Sequence, residues 1–437
     1  MRKLVQILIV LLVLAVFTGW VAAESQRVVL SLATSDATGY KVLNDIAAQY
    51  QKDHPNVSLE ITVLPGGVAG FNTAMASKFV ANDAPDLFIY QWGSQITEYA
   101  RGGHLMDLTD IGIKDSLKPI NRAYNQYNRK IYAYPLIQQL WGVMYNSSIG
   151  EKAGITELPK TMAEFTADMD KIKAKGQKYP FIVPAKDGSG ACGFIWCYEH
   201  QIISGKNPAW YYQVVTGKKS WNCPEWKRML SIYSNLLKNY SSPDYLGLDV
   251  DGANQRFASG QGAFYVASPS VVSTILTLNP SLKGKILYIP FPVYTRASDY
   301  ATVGDFDHAI SIWSKTKHPK EALGLYKEFF KAANNIKYAT AENSVSTVKN
   351  TPSTSLDPSL VNQAPLLEAG KYVGFAERQW VPGIKEIMKT NIQQWMAGQD
   401  VDATLNSIQK DDQRLLNANP QFVKDFKYNY THSVGQK

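Results

Sequence analysis

Gln91-Trp92-Gly93 sets an amide and a large aromatic beside a flexible glycine, directly after the apolar run Leu87-Phe88-Ile89-Tyr90. An indole face stacks on flat ligand surfaces, and an amide both donates and accepts hydrogen bonds, so the pair suits recognition more than bond making. Trp92 taken alone would equally close a core. Asp36, Asp83, Asp86, Asp305 and Asp307 stand near predicted strand ends, where a spatially assembled carboxylate pair would serve a glycoside hydrolase. Turn formation or helix capping is the plainer role for each. The six histidines are dispersed, none at metal-ligand spacing, and neither a G-x-S-x-G elbow nor a Walker loop occurs. Gly188-Ser189-Gly190-Ala191-Cys192-Gly193 has the dinucleotide spacing but lacks an acidic residue about 20 positions on after a second strand. Its glycines are read as a loop, turning or approaching a ligand. Cys192, Cys197 and Cys223 fit neither a zinc nor a redox pattern; a local Cys192–Cys197 disulfide, a disulfide from Cys223 to either of them, and free buried thiols all remain open.

These residues need elements to position them. Val28–Leu32 reads as a strand, followed by a helix in which Val42, Leu43, Ile46, Ala47 and Tyr50 recur in phase. Val57–Leu64 alternates strictly as a second strand, and a helix over Phe71–Val80 leads into the run Leu87–Tyr90. That β-α-β-α-β order predicts a parallel, right-handed sheet whose strand ends converge on Ser35-Asp36, Pro65-Gly66-Gly67 and Gln91-Trp92. Two β-rich pieces meet at Pro135 with no room for a helix, which suits a strand crossing between lobes. Thr161 and Glu164 form a capping box for a helix reaching Lys175. Further on, Asn254–Gly260 supplies a helix and glycine stop before a short strand, and Ser268-Pro269-Ser270 opens the next helix. Lys320–Ala333 is predicted as one amphipathic helix, and the chain ends helically.

With 437 residues, 45% hydrophobic and 19% charged, the composition is that of a globular protein of two or three domains. The aromatic share of 12% is compatible with a core and with a stacking surface. Arg2-Lys3, the apolar stretch Leu4–Phe17 and Val21-Ala22-Ala23 have the form of a cleaved export signal ending at residue 23. No Cys follows it to carry a lipid. The formal net charge of +8 is scattered, which argues against a nucleic-acid stripe and hints weakly at an anionic ligand.

Several motifs in order resemble one family. They are Ala84-Pro85-Asp86-Leu87 before Gly102–Leu108, Tyr134-Pro135 before Val143-Met144-Tyr145-Asn146, and Pro159–Phe165. Phe257-Ala258-Ser259-Gly260-Gln261-Gly262-Ala263-Phe264 and Gly304 before Ile310-Ser311 complete them. The chain is similar to the periplasmic solute-binding proteins of ABC importers, in the sugar-binding family that includes maltose-binding protein. The resemblance implies an α/β, two-lobed periplasmic-binding-protein fold, each lobe a mostly parallel sheet flanked by helices, with a ligand cleft between. The lobes would be residues 24–136 with 304–350, and 137–303 with 351–437. Ligand contacts carried over by position are Ser35, Asp36, Gly67, Gln91 and Trp92, then Gln139 and Trp141. In the second lobe they are Trp196, Tyr265, Ser268 and Ser270, followed by Phe306, Asp307, Arg378 and Trp380. The family often has a Trp near the position of Ser270, so one stacking platform is missing. The implied ligand is a carbohydrate, an oligosaccharide, passed to ABC permease subunits by an exported monomer that needs no cofactor, metal or catalytic residue. Arg378 and the basic balance also admit an acidic sugar, a polyol or another small anion, and an exported glycoside hydrolase is the remaining alternative.

Overall fold

The computed structural model describes residues 27–35, 37–118, 126–292, 296–352 and 356–433. The expected export signal and Asp36 therefore lie outside the described residues. β1 (Val28–Thr34) pairs in parallel with β2 (Val57–Val63) on one side and β3 (Leu87–Tyr90) on the other. The helices Tyr40–Asp53 and Gly67–Ala81 make the crossovers. β3 is buried along its whole length, as an unbroken apolar run requires. Leu87 and Ile89 pack with Leu30 and Leu32, while Phe88 and Tyr90 join Phe71, Met75 and Phe79 on the other face. Asp86 is structural: its carboxylate accepts from the Ser31 N–H and hydroxyl, both at 2.8 Å, and ties β3 to β1. Asp83 is exposed.

A short hairpin of β4 (Gln126–Tyr127) and β5 (Lys130–Ile131) precedes the 13-residue β6 (Tyr134–Asn146). Then come β7 (Phe181–Ile182), β8 (Phe264–Ala267), β9 (Ile286–Ile289), β10 (Thr302–Ile312), β11 (Val345–Ser346) and β12 (Tyr372–Val373). The first half of β6 pairs with β10 and β11, and its second half with β8 and β9, all antiparallel. β10 also pairs antiparallel with β3. The mostly parallel sheet expected in each half is thus found in β2-β1-β3, in the β7–β8 pair and where β12 meets β10. Around the crossing strands it is replaced, because a chain that crosses and returns must reverse direction.

The apolar cores fall into two groups. Two clusters draw on residues 28–137 and 306–348, and two on residues 140–291 and 345–426. The aromatic excess goes largely into them: Trp92, Trp210, Trp221 and Trp226 are fully buried. Cys192 and Cys197 are buried free thiols and Cys223 is a half-buried one, so the disulfide option falls away. Burial pushes the Cys192 thiol up to about 12, which leaves it inert.

Two predicted elements change. Gly188–Gly193 is the first part of a helix, Gly188–Tyr198, and not a loop. Asp187 caps it by accepting from the Gly190 N–H at 2.8 Å, and a Cβ on Gly190 would lie 1.9 Å from the Pro184 carbonyl oxygen. The glycine is there for close packing. The single helix predicted over Lys320–Ala333 is two, Pro319–Glu328 and Ala332–Ala341, because Lys331 leaves the helical region (ψ 133). The capping box is present: Thr161 Oγ1 accepts from the Glu164 N–H at 3.2 Å, and Glu164 Oε2 accepts from the Thr161 N–H at 2.9 Å. Thr161→Ala should therefore lower stability by about 1 kcal/mol in urea unfolding, against a few tenths for an exposed position without such bonds.

Candidate functional site

The C-terminal end of β3 faces the segment Glu377–Glu386 across a cavity of about 260 Å³. Gln91 and Trp92 line one wall with Asn72 and Gln95 from the N-terminal halves of flanking helices. Glu377, Trp380, Lys385 and Glu386 line the other. Gly93 makes the tight exit possible, with φ 148 and Arg378 packed against it, so a Cβ there would be strained. Amide and aromatic residues line the cavity together, residue types that hydrogen-bond hydroxyls and cover apolar ring faces.

A buried ring of polar contacts holds the two walls in register. Arg378 Nη2 stands 2.6 Å from Asp307 Oδ2, and Nη1 donates to the Trp92 carbonyl at 2.9 Å. The Trp92 N–H donates in turn to Asp307 Oδ1 at 3.0 Å. Burial penalises the Asp307 charge, yet Arg378 and His308 outweigh it and hold the carboxyl below the usual range. Arg378, expected to reach a ligand, is thus committed to Asp307 and to the β3 exit.

A second charged chain lies beside it. His200 Nδ1 is 2.9 Å from Glu199, and Nε2 is 2.9 Å from Glu377. Lys385 Nζ sits 3.7 Å from Glu377 and 4.9 Å above the Trp196 ring, against which Trp141 stands edge-on at 5.4 Å. Burial raises the Glu377 pKa, but His200, Lys385 and Arg378 together carry it well below the ordinary value. Asp305 goes the other way: burial pushes it up to about 6, and its oxygens accept the Phe306 and Phe375 N–H groups.

The structure sorts the predicted contacts. Gln91, Trp92, Arg378 and Trp380 come together at the cavity, and Asp307 sits directly behind it. Trp92 is a correction in kind, for its ring is fully buried, with the Phe306 ring 6.2 Å away, and presents no open stacking face. Trp380 is likewise mostly core, packed on Trp221 at 5.1 Å. Tyr265 is wholly buried beside Phe257 and is a packing residue. Phe306 points to the opposite face of the crossing strands from Gln139, because Phe306 pairs with Gln138 and Asp305 with Gln139. Ser35 and Gln139 are half-buried, and the Ser268 and Ser270 hydroxyls bond each other at 3.1 Å. Gly67 opens its helix with φ 58 and nothing within 4 Å of a Cβ. Sequence reasoning missed Glu377, Lys385 and His200. The one available signal was the density of charge in Glu377-Arg378 and Lys385-Glu386 around Trp380.

Residues 34–337 match the family model described as bacterial extracellular solute-binding protein. The melibiose/raffinose/stachyose-binding protein MelE of Bacillus subtilis (strain 168) is 24% identical over 427 residues, 94% of each chain. A multiple sugar-binding protein of Streptococcus mutans is 26% identical over 322 residues, 72% of this chain and 73% of that one. Among solved structures, a chitin oligosaccharide binding protein superposes with a TM-score of 0.75 at 21% identity, covering 89% of this chain and 99% of the other. RafE in complex with raffinose gives 0.74 at 20% identity, with the same coverage. The chain therefore shares its α/β fold with these solved structures, and it belongs to the bacterial extracellular solute-binding proteins.

Proposed function

We propose that the protein captures a carbohydrate, an oligosaccharide, between two lobes and delivers it to the permease subunits of an ABC importer. The lobes are residues 24–136 with 304–350 and residues 137–303 with 351–437; the chain is exported, without a lipid anchor, and acts as a monomer. The observation that carries this reading is the cavity in which Gln91, Asn72 and Gln95 oppose Trp380 and Lys385. Relatives named for raffinose, stachyose and chitin oligosaccharides support the ligand class.

Binding without turnover follows from the electrostatics. A glycoside hydrolase needs one carboxyl kept protonated beside the bond it cleaves. Glu377 is held ionised, and Glu386 is paired to Lys389 at 2.8 Å. Asp305 has a raised pKa but is closed off by the backbone of Phe306 and Phe375. An anionic ligand is disfavoured because Arg378 is already neutralised by Asp307 and Lys385 stands beside Glu377.

Calorimetric titration with raffinose, stachyose, chitin oligosaccharides and uronic-acid sugars tests this, with chromatography of the mixture for products. At least one neutral oligosaccharide should bind, unchanged after incubation. Gln91→Ala should weaken that binding about tenfold or more, the effect of losing one or two well-formed hydrogen bonds. Absence of binding across the panel at millimolar concentration, or any hydrolysis, would refute the proposal.

A further inference from the structure

A second groove of about 290 Å³ lies on the other face of the crossing strands. Val345, Gln138 and Phe306 stand in one register row across β11, β6 and β10, so their side chains share a face. Gln139 and Asp305 occupy the next row and point away from it. Leu356, Leu367 and Tyr372 form the outer apolar wall.

Two polar side chains in this apolar setting lack partners. Gln138 is only 4% exposed and lines the groove, yet among the described residues its amide makes no hydrogen bond. Lys118 also lines it, half-buried, and its amino group has no ion-pair or hydrogen-bond partner among the described residues. Buried polar groups are ordinarily satisfied, and a cation left unpaired in apolar surroundings is costly. Burial has pushed the Lys118 ammonium down to about 8, the effect of a site that lacks a counter-charge.

We propose that this groove is a second ligand site, for a small monocarboxylate with an apolar body. Lys118 and the Gln138 amide bind the carboxylate, and Phe306, Val345, Leu356 and Leu367 cover the tail. The volume is at the small end of ligand pockets, about 300 Å³ upward, and fits a medium-chain or monoaryl acid. Glu368 is exposed at the rim and repels a second anionic charge, so dicarboxylates are excluded.

The test is calorimetric titration of the full chain with sodium octanoate, octan-1-ol and suberate at pH 7. Octanoate should bind at one site with a Kd of about 1 mM or tighter. Octan-1-ol and suberate should bind at least about tenfold more weakly, since each loses or opposes the charge-assisted contact. Lys118→Met keeps the length of the side chain without its charge and should weaken octanoate about tenfold or more. Raising the pH from 7 to 9 should weaken octanoate in the wild type and leave Lys118→Met unaffected, because only the wild type has an ammonium to lose. No octanoate binding at 10 times that concentration, equal affinity for octan-1-ol, or unchanged binding by a folded Lys118→Met protein would each overturn the proposal.

Discussion

Arg378→Met should lower folding stability by about 3–5 kcal/mol, the cost of leaving a buried charge without its partner. Arg378 and Asp307 are 4% and 5% exposed, so water cannot replace the lost contact. Three parts of the chain depend on the guanidinium at once: β10 through Asp307, the β3 exit through the Trp92 carbonyl, and the Ala376–Gln379 turn that carries it. Asp305 also leans on the same positive charge, which opposes the rise imposed by burial. The double variant Arg378→Met/Asp307→Asn should recover part of the loss, because the introduced amide oxygen still accepts the Trp92 N–H while the stranded charge is gone. Urea unfolding with an unchanged slope would report both. The exposed pair Lys41–Asp45, with side chains 85% and 62% exposed, is the contrast; Lys41→Ala should change stability by less than about 0.5 kcal/mol. A small effect for Arg378→Met, equal to that of Lys41→Ala, would show that the ring does not hold the two walls together.

Much of this frame was readable because it is local. Leu87–Tyr90 stands where the apolar run places it. The Thr161 cap is written in two residues three apart. What escaped was non-local or ambiguous. Gly188–Gly193 has the composition of a loop, and only its packing against Pro184 and Lys389 explains why glycines begin a helix. Pro319–Glu328 buries Ala322, Leu325 and Tyr326, whereas Ala332–Ala341 buries Asn335, Tyr338 and Ala339, which would lie on nearly the opposite face of one continued helix; the break at Lys331 makes that change of face, and no residue type there announces it. The site shows the same division. Gln91 and Trp92 were found from strand-end logic, but the burial of the Trp92 ring depends on Phe306 from β10. Arg378 meets Asp307 across 71 residues, and His200 meets Glu377 from a distant helix; no spacing rule links such pairs. The residue types of Arg378 and Asp307 suggested ligand contacts, and burial made them part of the frame that positions the cavity wall.

Stability should fall by about 3 kcal/mol between pH 6.5 and 9.5 through His200 alone. The imidazole is 1% exposed and lies between two carboxylates, Glu199 and Glu377, at 2.9 Å each. Burial works against its charge, but Glu377 and Glu199 outweigh it and carry the pKa up to about 9 from the ordinary 6.5. The Ala376 N–H also approaches Nδ1, at 3.1 Å, and a protonated ring resolves that competition in favour of Glu199. A folded pKa above the unfolded one means that the contribution is complete below pH 6.5 and is lost as pH rises through 9. Asp305 has the same sign of linkage in a lower window: its raised pKa of about 6 costs the folded state stability as pH rises from about 4 to 6, and the cost is constant thereafter. Lys118, pushed down to about 8, gains stability above that pH and masks part of the His200 loss. His200→Gln isolates the term, because it removes the titrating group while Asp305 and Lys118 continue to act. Its absolute stability at pH 6.5 should be below that of the wild type, and the gap should narrow by about 3 kcal/mol by pH 9.5. Chemical denaturation at both pH values measures that gap. Parallel loss in the two proteins would mean that His200 is neutral in the folded state and that Glu377 is held ionised by Lys385 and Arg378 alone.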